Sequence, residues 1–128
     1  MAKFRELKVW QRAMKFAIRV YEEGARFPKS EIFGLTGQLR RATVAVPLNI
    51  SEGAGSGSDV EFRRFLRFAQ RSCYEVISAV EIARGLKYLA DQIANELSQE
   101  AEEIAAMIGG PSRYLSQPAA QRKRPAED

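Results

Sequence analysis

Four stretches in which apolar side chains recur at spacings of three and four, joined by connectors of a few residues, restrict this chain more than any other feature. That spacing follows the 3.6-residue turn of an amphipathic helix, and short links make each helix run back along the one before it. The expected fold is all-α, an antiparallel up-down-up-down four-helix bundle over residues 1–109. Residues 110–128, rich in Pro, Gln, Ala and Arg, are expected to form a flexible C-terminal tail.

The first helix is expected over Lys3 to Glu23. On a wheel of about 100° per residue, Phe4, Leu7, Trp10, Met14, Ile18 and Tyr21 form one apolar face, and Val9, Ala13, Phe16 and Val20 a second beside it. Together they span roughly 200°, about twice the stripe an ordinary surface helix needs. Gly24 ends the helix, and Pro28 pushes Phe27 out of the helical region. Ser30 is then an N-cap for a second helix reaching about Glu52. Its core side is Ile32, Leu35, Leu39, Ala42, Val46 and Ile50, with Phe33, Val44 and Leu48 on another side. The surplus apolar positions Val9, Phe16, Val20, Phe33, Val44 and Leu48 are assigned to an interface between copies of the chain. Gly34 and Gly37 each cost about 1 kcal/mol against alanine in a helix interior, which close backbone approach to a neighbour would justify.

Pro47 removes a backbone donor and crowds the Thr43 carbonyl, so a bend is expected there. Gly53-Ala54-Gly55-Ser56-Gly57 reads as a flexible connector. Ser58-Asp59-Val60-Glu61 is a capping box that opens a third helix running from Asp59 to about Tyr88. Phe65, Leu66, Ala69, Cys73, Val76, Ile77, Val80 and Ala83 share one arc of it, with Arg63, Arg64, Arg67 and Arg71 on the opposite side. A fourth helix is expected from Leu89 to Ile108, stopped by Gly109-Gly110-Pro111.

Composition removes several function classes. No histidine is present, which excludes His-dependent triads and imidazole zinc sites, so no catalytic residue, metal site or cofactor is expected. GAGSG in the connector lacks the Lys-Ser/Thr of a phosphate-binding loop and follows a helix, not a strand. Asn49 and Glu52 flank the bend, but no second acid or base is spaced to work with Glu52. The single cysteine, Cys73, allows no intrachain disulfide and fits a reducing cytoplasm. The opening MAKFRELKVW has no apolar h-region of a secretory signal, and no apolar run approaches the roughly 20 residues of a membrane span.

Charge is the remaining signal. Net charge is +4, with ten Lys/Arg against four Asp/Glu in residues 1–50 and five acids with no base between Asp91 and Ile108. Arg5, Lys8, Arg12, Lys15 and Arg19 fall within an arc of about 80° on the first helix. With Arg40 and Arg41 on the second helix and Arg63, Arg64, Arg67 and Arg71 on the third, they could follow the phosphates of RNA, DNA or another polyanion. A solvated charged face is the plainer reading of the same pattern.

F-x-x-L-x-V-W at Phe4 to Trp10, Tyr21, FPKSEIFGLTGQLRRA at Phe27 to Ala42, V-P-x-N-I-S-E-G at Val46 to Gly53 and EFRRFLRFA at Glu61 to Ala69 resemble the bacterial four-helix-bundle proteins. These were named from reading frames inside intervening sequences of 23S ribosomal RNA genes. The likeness covers residues 3 to about 108. That family is also similar to the accessory variability determinant proteins of diversity-generating retroelements, homopentamers that bind nucleic acid and a reverse transcriptase. The resemblance implies an up-down bundle that assembles as a pentameric ring. The sequence departs from the family pattern at Ala45 and Leu48, at Arg71-Ser72-Cys73, and at Gly109-Gly110-Pro111, the last of which implies a shortened fourth helix.

The expectation is a non-enzymatic cytoplasmic homo-oligomer, a pentamer on the strength of the resemblance, binding RNA or DNA through phosphate contacts with little sequence reading. The alternative is a protein-interaction scaffold whose acidic fourth helix meets a protein partner. An enzyme working through Glu52 or Glu61 is the third reading.

Overall fold

The computed structural model describes residues 3–122, and every regular element among them is helical. Four helices carry the fold: α1 (Lys8–Gly24), α2 (Leu35–Ala54), α3 (Asp59–Gly85) and α4 (Asp91–Ser116). Contacts between neighbours run in opposite directions along their partners. Gln70 of α3 reaches Ala105 while Arg84 reaches Asn95, and Arg12 of α1 meets Glu103 while Arg19 meets Glu96. The helices are therefore antiparallel, with α1 diagonal to α3. No helix among the described residues is long and apolar enough to cross a membrane.

Leu39, Ile50, Leu66, Leu97, Ile104 and Ile108 fill the centre, each at most 1% exposed. Burying side chains of this size is worth about 1.5–3 kcal/mol apiece, so the middle of the bundle dominates its stability. The first helix turns a different face inward from the one expected. Val9, Ala13, Phe16 and Val20 are buried, whereas Leu7, Ile18 and Tyr21 are exposed. Two adjacent apolar faces carry the same period, so the pattern alone did not determine which one packs. Val9, Phe16 and Val20 thus belong to the chain's own core and are not available to a second copy. Val44 is half-buried, and Phe33 and Leu48 are exposed.

Helix boundaries differ from the expectation chiefly in four places, besides α4 starting at Asp91 and not Leu89. Lys3–Glu6 is a separate turn of 3₁₀ helix before α1. Ser30 lies inside a second such turn, Lys29–Glu31, and caps nothing, because α2 starts only at Leu35. There the Glu31 carboxylate accepts from the Leu35 N–H at 3.3 Å, and its other oxygen accepts from Tyr88 Oη at 2.9 Å. At the far end α3 stops at Gly85. Lys87 adopts a left-handed φ of 67°, and the Tyr88 N–H returns to the Ala83 carbonyl at 2.9 Å, which closes the helix three residues before Tyr88.

The fourth difference is the largest. α4 passes through Gly109-Gly110-Pro111 and continues to Ser116. Gly110 has no Cβ to meet the proline ring, which relaxes the usual bar on helical backbone before proline, and Leu115 packs against the core beyond it. Arg122 then donates to the Leu115 and Gln117 carbonyls and pairs with Asp59 in the first turn of α3. Residues 110–122 are consequently structured and not a loose tail; the rest of that segment lies outside the described residues.

The connector between α2 and α3 behaves as expected from its caps. Ser58 accepts from the Glu61 N–H at 3.2 Å, and Gly57 takes a φ of 72° that glycine tolerates. Gly53 and Ala54, however, belong to α2. The close approach expected of Gly34 and Gly37 is local and not to a neighbouring helix: Gly34 precedes α2, and a Cβ at Gly37 would stand 2.9 Å from the Ile32 carbonyl oxygen of the turn just before it. Pro47 sits within α2 without ending it.

Candidate nucleic-acid interface

The basic stripe of α1 meets the acidic helix of the same chain. Glu96, Glu100 and Glu103 recur at spacings of four and three, which aligns them on one side of α4. Arg12 pairs with Glu100 and, at 2.6 Å, with Glu103, and Arg19 stands 3.4 Å from Glu96. Arg12 Nη1 also lies 3.3 Å from Met107 Sδ. Hydrogen bonds to Glu100 and then Glu103 hold the Arg12 guanidinium above its ordinary value. The Glu103 carboxyl is lowered, first by the bond from Arg12 and then by that from Gln99. The basic stripe is thus paired in part within the bundle, at Arg12 and Arg19, leaving Arg5 on the preceding turn and Lys8 and Lys15 on α1 exposed with no ion-pair partner among the described residues.

Of the two expected residues on α2, one turns inward and the other does not. Arg40 lies with its guanidinium 4.6 Å over the Tyr21 ring and donates to the Tyr21 carbonyl at 3.1 Å, so it clasps the last turn of α1. Its Nε is buried without a hydrogen-bond partner. This arginine holds α1 to α2 and is withdrawn from the candidate surface. Arg41 donates to Gln38 Oε1 at 2.6 Å and stays exposed.

On α3 the outcome is the reverse. Arg63, Arg67 and Arg71 are exposed, and none makes an ion pair or side-chain hydrogen bond among the described residues. Arg64 is tied to Glu61 at 3.3 Å and lies 5.2 Å over the Phe68 ring. Because α1 and α3 are diagonal, the eleven basic positions do not form one surface. Arg5, Lys8 and Lys15 occupy one side of the bundle, and the α3 ridge occupies the other.

Beside that ridge, α2 and α3 frame a groove of roughly 500 Å³ into which Arg71 and Gln38 project. Tyr74, one turn from Arg71, lines the groove and is 55% exposed. It is not among the site residues expected from the sequence. The wheel contained the signal, because Tyr74 falls on the arginine side of α3, away from Cys73 and Val76. Cys73 itself is buried, and burial pushes its thiol up to about 12, where it is unreactive.

The pattern quoted from Phe4 to Ala69 is matched by a family model. The model described as 23S rRNA-intervening sequence protein aligns with residues 5–110. The chain belongs to that family. The match takes in α1, α2, α3, and α4 as far as Gly110, and so contains both the partly paired stripe and the unpaired one. It is a match to the intervening-sequence proteins and carries no retroelement function with it. A search of curated proteins returned no match.

Proposed function

We propose that this family member is a non-enzymatic, homo-oligomeric bundle that binds RNA or DNA through phosphate contacts made chiefly by Arg63, Arg67 and Arg71. The observation that carries the reading is that these three arginines have no acid to satisfy them among the described residues, while Arg12 and Arg19 do. Unpaired arginines spaced along one helix are the arrangement that gains most from a polyanion, because release of the counterions around the phosphates drives binding. Arg41, Arg5, Lys8 and Lys15 add positive charge at the flanks and on the opposite side.

Assembly rests on the exposed apolar residues Phe33, Leu48 and Ile18 together with the family resemblance, from which the pentamer is taken. The reading assigns the protein to a reducing cytoplasm, where a lone thiol stays reduced. The scaffold alternative is weakened, since three of the acids that would have met a protein partner face α1 instead. Filter binding to RNA and DNA across a salt series tests the proposal. Affinity that never exceeds weak non-specific levels at low salt would refute it.

A further inference from the structure

The α2–α3 groove has a composition that phosphate contacts alone do not use. Ala42 and Ala79 form part of its lining and are small and nearly buried, so a flat ring can approach the backbone between the two helices. Tyr74 and Ser78 stand on its α3 side, and neither hydroxyl has a hydrogen-bond partner within the described residues. Glu75 also lines the groove and makes no ion pair there among the described residues. Its carboxylate repels phosphate where it lines the groove, while Arg71, one turn away along α3, attracts it. The groove is an open depression and not an enclosed cavity, so its occupant keeps one side in water.

Resting on the nucleic-acid reading above, we propose that this groove receives one unpaired base of a single-stranded segment, stacked on Tyr74, with its phosphate held by Arg71 and the neighbouring phosphates by Arg67 and Arg63. A duplex hides its base faces, so the ridge meets only its backbone, and single strands gain the stacking contribution in addition. Glu75 accepts hydrogen bonds and donates none when ionised. The base it favours therefore carries an exocyclic amine, as cytosine and adenine do and uracil does not.

Anisotropy titrations with labelled oligocytidylate, oligouridylate and a duplex of equal length test this in the full chain. The expected result is single-strand binding tighter than duplex binding, with Tyr74→Ala weakening the single strand about tenfold and leaving the duplex unchanged. Tyr74→Phe retains the affinity, and Glu75→Gln narrows the gap between cytidylate and uridylate. Tyr74→Trp, read against the native Trp10 signal, is quenched by single strands. Salt-dependent binding of equal strength to both forms, with Tyr74→Ala silent, overturns the base-stacking proposal and leaves the phosphate reading standing. Absence of binding to either form overturns both. A change of oligomer size in Tyr74→Ala by light scattering assigns the groove to a second copy of the chain and also overturns it.

Discussion

Arg12 on α1 and Glu103 on α4 meet at 2.6 Å, and Glu100 joins the same guanidinium. This cluster ties the first helix to the last along a seam where α1 otherwise leans on α2. Removing it with Arg12→Ala is expected to lower stability by about 1 kcal/mol in low salt and by less as salt rises, as read by urea denaturation. The acid limb should change as well. Glu103 has a folded pKa below its ordinary 4.5, so its contribution is complete above that value and disappears as pH falls through the lower one. Glu103→Gln should therefore melt lower than the wild type near neutral pH and converge with it in acid. Parallel curves would show that the pair is idle.

Gly53 packs the last turn of α2 on the start of α3. A Cβ there would lie 2.8 Å from Phe65 Cβ and 3.3 Å from the Phe62 Cα. Gly53→Ala should destabilise the fold by about 1–3 kcal/mol, despite alanine's better helix propensity, because the neighbouring backbone must move. Chemical denaturation decides it, and a stabilised variant would mean the two helices can separate freely.

Lys87 ends α3 in a left-handed conformation that costs a non-glycine residue roughly 1–2 kcal/mol. Lys87→Gly should raise stability by about 0.5–1 kcal/mol after the added freedom of the unfolded chain is offset. A thermal melt at matched pH measures this directly.

Self-association is expected to depend on Phe33, which is 95% exposed, and not on Phe16, which is 4% exposed. Phe33→Glu should yield a smaller, folded species in sedimentation velocity. Phe16→Glu should unfold the chain, because an unpaired charge in the core costs several kcal/mol. A folded monomer from the wild type would remove the basis for an oligomer.

Element type and order were legible in the sequence because each run repeats the helical period over many turns. What misled was ambiguity between neighbouring solutions. On α1 the faces centred on Phe16 and Ile18 are both apolar, and packing against α2 chose the former. Pro111 looked like a stop, but a glycine before it and an anchoring leucine after it let α4 continue. The basic stripe at Arg12 and Arg19 was correctly located and wrongly left unpartnered, since the acids that neutralise it come from a helix far away in sequence. The solvent side of α3 at Arg63, Arg67 and Arg71 was legible on the wheel, and Tyr74 shares that side.

The most direct test compares the salt dependence of nucleic-acid binding in the wild type and in a variant with Arg63, Arg67 and Arg71 all changed to alanine. Plotted as log affinity against log salt, the wild type should fall linearly, and the variant should be weaker with a slope reduced by roughly 0.7 for each arginine lost on a single strand. Unchanged affinity and slope in the variant, or no measurable binding by the wild type at low salt, would contradict the account.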